Sequence, residues 1–177
     1  LMSTPTDQAG ALARSGVYAF LWGSLAYPGP AVRSDLVDVV LPFVTTVRTG
    51  DGALDAALAE VVVAHDLGIE ELQVAHGRQF THIESQDCPP YETAFGSRDV
   101  FAQSDTMADV AGFYRAHGLL VGGRERERPD HITTELEFMA FLARKEAVAI
   151  DQLGPDEADL CRQSQVLFLR DHLGCWG

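Results

Sequence analysis

The chain has 177 residues, a hydrophobic fraction of 46% and a formal net charge of −13. That length suits one domain with a substantial core. The charge argues against nonspecific nucleic-acid binding, which needs lysine and arginine to displace counterions, and is compatible with a basic partner segment. No apolar run approaches the roughly 18 residues needed to cross a bilayer, and Leu1-Met-Ser-Thr-Pro5 has neither the basic region nor the hydrophobic block of a secretory signal.

The pattern is helical almost throughout. Arg14, Tyr18, Leu21 and Leu25 follow helical spacing, Trp22 widens their apolar face, and Pro28-Gly-Pro30 ends the segment. From Val32 to Val47, Leu36, Val39, Val40 and Phe43 fall on one side, with Pro42 expected to break or kink the helix. Thr49-Gly-Asp-Gly52 marks a turn. Ala53 to His65 reads as a buried helix ending near Gly68, and Ile69, Leu72, His76 and Phe80 form the next stripe.

From Ile83 to Ser104 the periodicity fails and a long surface loop is predicted; loops of that length in compact domains are often functional. Ser104 or Asp105 can cap a helix running through Gly118, with Val110, Phe113, Tyr114 and His117 inside. Gly122-Gly123 and Arg124 to Arg128 make a second loop. The longest helix is predicted from about Asp130 to Ile150. There Ile132, Leu136, Met139 and Leu142 face the core, while Glu135, Glu137, Arg144, Lys145 and Glu146 mostly do not. Gly154-Pro155 precedes a last helix to Leu173, with proline at the favoured first turn. No strand alternation, repeat or linker stands out. The expectation is an all-α, single-domain bundle over residues 1–177.

Cys88, Cys161 and Cys175 are odd in number and scattered, without paired zinc spacing, which points to inert thiols in a reducing compartment. Six histidines invite a metal test, and Glu135 lies one helical turn after His131. Yet neither a His-Glu-x-x-His helix nor the repeated Glu-x-x-His of di-iron bundles is present. No nucleophile elbow or phosphate loop appears. Neither a metal nor a cofactor is expected, and no catalytic residue.

The most informative run is Glu127-Arg-Pro-Asp130-His131, which opens the longest helix. Proline disfavours helix before it and aspartate is a good N-cap, so a carboxylate and an imidazole sit side by side at a helix start. On residue chemistry alone, the simpler reading is a capping Asp130 and a surface histidine. Tyr91, Glu92 and Phe95 follow Pro89-Pro90, which restricts the approach of the chain. Tyr91 reads equally as a ring packing its loop onto the core or as an exposed recognition group.

The Glu-x-Pro-Asp-His run resembles the signature of the TorD/DmsD/NarJ family of redox-enzyme maturation chaperones. Tyr18-Ala-Phe-Leu-Trp-Gly-Ser-Leu-Ala-Tyr-Pro28 resembles that family's first helix, and Phe168-Leu-Arg-Asp-His172-Leu173 with Trp176 its late helix. Pro89-Pro-Tyr-Glu-Thr93, Phe95-Gly96 and Met107 to Tyr114 resemble the branch serving type II molybdoenzymes of the DMSO-reductase family. The resemblance implies a TorD-type bundle acting as a cytoplasmic, non-enzymatic chaperone. Its partner would be the molybdopterin-containing catalytic subunit, its twin-arginine leader, or both, held until the molybdenum cofactor is inserted and then released for assembly or export. It further implies a client groove at Asp130 and His131, to which Glu127, Pro129, Glu135, Tyr91, Glu92, Phe95 and Trp22 are added as candidates. Other implications are a hinge near residues 119–130, homodimers formed by exchange there, and one more helix after Gly177. Two rivals remain: a metal-dependent helical enzyme built on His131 and Glu135, and a helical adaptor for an unrelated peptide.

Overall fold

A computed structural model describes residues 5–49, 51–65, 67–80, 88–96, 98–121 and 127–177. His82, Ile83, Gly122-Gly123 and Arg124 to Arg126 lie outside these. Seven helices run through the described residues: α1 (Pro5–Leu25), α2 (Pro30–Asp35, continuing through Leu36–Val40 and Leu41–Val44), α3 (Gly52–Ala64), α4 (Ile69–Phe80), α5 (Val100–Ala116), α6 (Ile132–Gln152) and α7 (Pro155–Phe168, extended by Leu169–Leu173 and Gly174–Trp176). Among the described residues there is no strand, only a single antiparallel bridge between Tyr91 and His131.

Helix α1 is shared between two cores. One side meets α5, α6 and α7, where Val110, Tyr114, Leu136, Phe138, Met139, Leu142, Phe168 and Leu173 are buried against Tyr18, Leu21, Trp22 and Leu25. The rings of Tyr114, Phe138 and Phe168 meet edge-on or tilted at centroid distances of 4.7, 4.9 and 6.1 Å, an arrangement that adds directional attraction to apolar burial. The other side of α1 carries Phe20, which is buried with Leu36, Val44 and Leu58. Glycines on α1 permit that approach: a Cβ on Gly23 would lie 2.8 Å from Leu36 Cδ1, and one on Gly16 would strike the Phe43 ring.

Several expectations change. Pro42 does not break α2, because a π turn over Leu36–Val40 directly precedes it and absorbs the altered hydrogen bonding. The inward stripe becomes Leu36 and Val44, both buried, with Val40 half-buried between them, leaving Val39 and Phe43 exposed. Helix α3, capped by Asp51 Oδ1 on the amides of Ala53 (2.8 Å) and Leu54 (3.2 Å), is not a buried helix. It buries Leu58 and exposes Leu54 and Val63. Helix α5 starts before Ser104, with Asp99 Oδ1 accepting from the Phe101 amide at 2.8 Å. A 3₁₀ turn, Glu92–Ala94, also structures part of the predicted loop.

The largest correction concerns two acids of α6. Glu135 and Glu146, expected to point away from the core, are both fully buried. Glu146 is held by Arg14 from α1 (2.7 Å) and by Arg162 (2.8 Å) and Gln165 (2.7 Å) from α7. A buried carboxylate survives only with such company, so apolar periodicity misplaces it. Its three partners join the helices on which the first core is built.

Candidate functional site

Five residues of the segment 90–95 attach it to the start of α6 and the end of α7. Pro90 O accepts from the Ile132 amide, and the Glu92 amide donates to Asp130 O, both at 2.9 Å. These two bonds form the bridge that fastens the segment beside the start of α6. The Tyr91 ring lies edge-on to His131 at 5.2 Å, with the Arg128 guanidinium 4.5 Å from its centroid. The Glu92 carboxylate meets His172 Nδ1 on α7 at 3.1 Å. Thr93 Oγ1 donates to Asp130 Oδ2 at 2.7 Å, and Phe95 leans on Trp176 at 5.6 Å.

Asp130 is not the N-cap of α6. His131 is, its Nδ1 accepting from the Thr133 amide at 3.2 Å. Asp130 is instead fully buried and engaged within the chain: Arg128 Nε and Nη2 reach its two oxygens at 2.9 and 2.8 Å, and Thr93 supplies its amide and hydroxyl. Burial holds the His131 imidazole below its usual range, against the raising influence of Glu127 and Asp130. With Nδ1 accepting a backbone proton, the neutral ring carries its own proton on Nε2. Tyr114 closes the underside, its hydroxyl donating to Pro129 O at 2.7 Å. Burial, with the nearby carboxylates, pushes that hydroxyl above its ordinary value, so it stays a donor.

Beside this junction lies a cleft of about 820 Å³. Trp22, Leu25 and Tyr27 come from α1 and its C-terminal turn, His76 and Phe80 from α4, Tyr91 from the bridged segment, and His131, Ile132, Phe138 and Phe141 from the start of α6. Glu127 and Glu137 also line it, and both are exposed. Of the candidates named from sequence, Trp22, Tyr91, Glu127 and His131 therefore share one cavity. Asp130, Glu92 and Glu135 stand behind that wall as buried or half-buried supports, Pro129 is tied to Tyr114, and Phe95 lies on the Trp176 side. Leu119, Leu120, Val121 and Glu137 were not singled out from sequence. Glu137 had a signal: it lies three residues after Thr134 and four before Phe141, on the helical face that lines the cleft.

A metal reading meets the same geometry. His131 spends Nδ1 on its cap, and Glu135 turns to the Trp176 indole at 3.2 Å. Among the described residues no group of three or more His, Cys, Asp or Glu stands together in a way that could hold an ion. Among them, too, no helix is long and apolar enough to cross a membrane.

The chain is similar to a perchlorate reductase assembly chaperone protein of Dechloromonas aromatica (39% identity over 71 residues, 40% of this chain and 30% of that protein). It is also similar to a selenate reductase assembly chaperone protein of Thauera selenatis (32% over 80 residues, 45% and 40%). A chlorate reductase assembly chaperone protein of Ideonella dechloratans matches at 32% over 129 residues, 72% of this chain and 60% of that protein. The chain thus spans 30 to 60% of the length of these curated relatives. A solved structure of a candidate redox enzyme maturation protein from Archaeoglobus fulgidus aligns over 87% of this chain and 93% of its own, at 24% identity and a TM-score of 0.48. The family model described as nitrate reductase delta subunit matches residues 46–177, well over half of the chain. The chain belongs to the nitrate reductase delta subunit family, the NarJ/TorD-type group that its motifs resemble.

Proposed function

We propose that this protein is an assembly chaperone for the catalytic subunit of a type II molybdoenzyme, and that the cleft between α1, α4 and α6 holds a basic, amphipathic segment of that subunit. A twin-arginine leader is such a segment. The observation that carries this reading is the cleft's composition: an aromatic and aliphatic lining from Trp22, Leu25, Ile132, Phe138 and Phe141, with Glu127 and Glu137 exposed along it. An apolar trough with acidic groups suits a chain that is apolar on one side and cationic on the other. The net charge of −13 draws such a segment in over distance. The relatives named for perchlorate, selenate and chlorate reductases support an oxyanion reductase as client.

No covalent step is required. The chaperone needs high affinity for the unfinished subunit and lower affinity once cofactor insertion and folding bury the recognised segment. The full chain is to be titrated calorimetrically with a synthetic leader carrying two adjacent arginines before an apolar run, and tested for retention of an apo catalytic subunit. Saturable binding of either is expected, weakened about tenfold in Glu127→Gln/His131→Ala. Failure to retain both the leader and the subunit would sink the proposal.

A further inference from the structure

The surroundings of Arg128 have the make-up of a binding site for an arginine side chain. A carboxylate buried in its own fold offers both oxygens to one guanidinium, at 2.9 and 2.8 Å. The Thr93 hydroxyl stands 2.7 Å from the same Nη2, Met107 Sδ 3.5 Å from it, and an aromatic face lies 4.5 Å from the guanidinium carbon. Two-pronged carboxylate bonding with aromatic stacking distinguishes arginine from lysine, whose ammonium is a point charge. The occupant is nearly half exposed, whereas Asp130 is fully covered, so the guanidinium closes the approach to the carboxylate. The backbone of Arg128 is secured separately: its carbonyl accepts from the His131 amide and the Thr134 hydroxyl, each at 3.2 Å. The side chain can therefore swing away without taking the loop with it. Tyr91 belongs to both places, since its ring lines the cleft as well as the Arg128 site.

We propose that Arg128 is an internal, displaceable occupant of a guanidinium site, and that an arginine of the client segment takes its place on Asp130, Thr93 and Tyr91. This rests on the client-binding reading above and adds a self-inhibiting contact to it. A site filled by its own chain weakens apparent affinity by the fraction of time it stands open. Release would therefore require only that Arg128 return.

The test compares the full-length wild type with Arg128→Gln and Arg128→Gln/Asp130→Asn, titrated with a two-arginine leader peptide and its two-lysine counterpart. Arg128→Gln is expected to bind the arginine peptide about tenfold more tightly than wild type, with a wider preference over lysine. The second substitution should abolish that gain. Equal or weaker binding by a folded Arg128→Gln overturns the proposal and makes Arg128 a structural latch. If wild type binds and Arg128→Gln gains nothing, only this inference fails; if no form binds, the client reading fails with it. Should Arg128→Gln not fold, Arg128→Lys replaces it, since lysine keeps the charge but not the fork. A gain there supports displacement, and no gain overturns it.

Discussion

Trp176 Nε1 donates to Glu135 Oε2 at 3.2 Å, joining the last described turn of the chain to the first turn of α6. Glu135 is fully buried, and its carboxyl interacts with that of Glu92 as well as with the indole. Burial, helped by the charges of Glu92 and Asp130, pushes its carboxyl up to about 9, against the opposing bond from Trp176. The group is therefore neutral at pH 7. A folded pKa above the unfolded value of 4.5 gives a contribution to stability that is complete below that value and lost as pH rises toward 9. Glu135→Gln should flatten this decline and melt higher than wild type at pH 9. Urea midpoints at pH 5, 7 and 9 decide it; parallel curves for the two proteins would remove Glu135 as the cause.

His172 pulls the same way through a different group. Burial disfavours its charge, but the Glu92 carboxylate at 3.1 Å, with Asp109 and Asp171 nearby, outweighs that and raises the imidazole above its usual 6.5. The stabilisation from this pair is complete below 6.5 and fades as pH climbs through the raised value. Proton NMR should find the His172 midpoint above 6.5 in wild type and lower in Glu92→Gln. An unchanged midpoint in that variant would show that Glu92 does not set it.

The Glu146 cluster has the opposite sign. Burial works against its charge, yet bonds from Arg14, Gln165 and Arg162 win and hold the carboxyl below its usual range. Its stabilisation is present above 4.5 and disappears as pH falls through the depressed value. Removing both arginines, Arg14→Ala/Arg162→Ala, strands a buried carboxylate and should cost about 3–5 kcal/mol at pH 7. Glu146→Gln frees arginines that are nearly half exposed, and should cost about 1–2 kcal/mol. Chemical denaturation measures both; a Glu146→Gln loss equal to that of the double variant would contradict the asymmetry.

Trp22 reports on the cleft directly. It is half-buried against the first core and also lines the cavity. In a Trp176→Phe background, its emission should shift to shorter wavelength when a leader peptide fills the cleft, and Trp22→Ala should weaken binding about tenfold. An affinity left intact by Trp22→Ala would place the peptide elsewhere.

Much of the fold was legible because long amphipathic helices announce themselves through apolar spacing, as at Ile132, Leu136, Met139 and Leu142. The run at Glu127 to His131 and the segment at Tyr91 were visible as chemistry, and the structure brings them together. What sequence spacing could not convey was polar burial. Glu135 and Glu146 look like solvent-facing acids until the indole and guanidinium groups that accompany them, contributed by remote parts of the chain, are known. Asp130 misled for a related reason. Its residue type and position fit a cap, but Arg128 and Thr93 compete for the same oxygens, leaving the cap to His131. The face of α2 was misassigned because a π turn adds a residue that no apolar period announces.

The stretch from Pro90 to Phe95 has one further consequence. Apart from its single 3₁₀ turn, its shape is imposed from outside: by the start of α6 through Asp130, His131 and Ile132, and by the end of α7 through His172 and Trp176. The cleft wall that carries Tyr91 thus depends on contacts from helices distant in sequence. A half-folded chain would have the aromatic residues but no cavity. The cavity is, by this arrangement, a property of the completed fold and of no single segment of it.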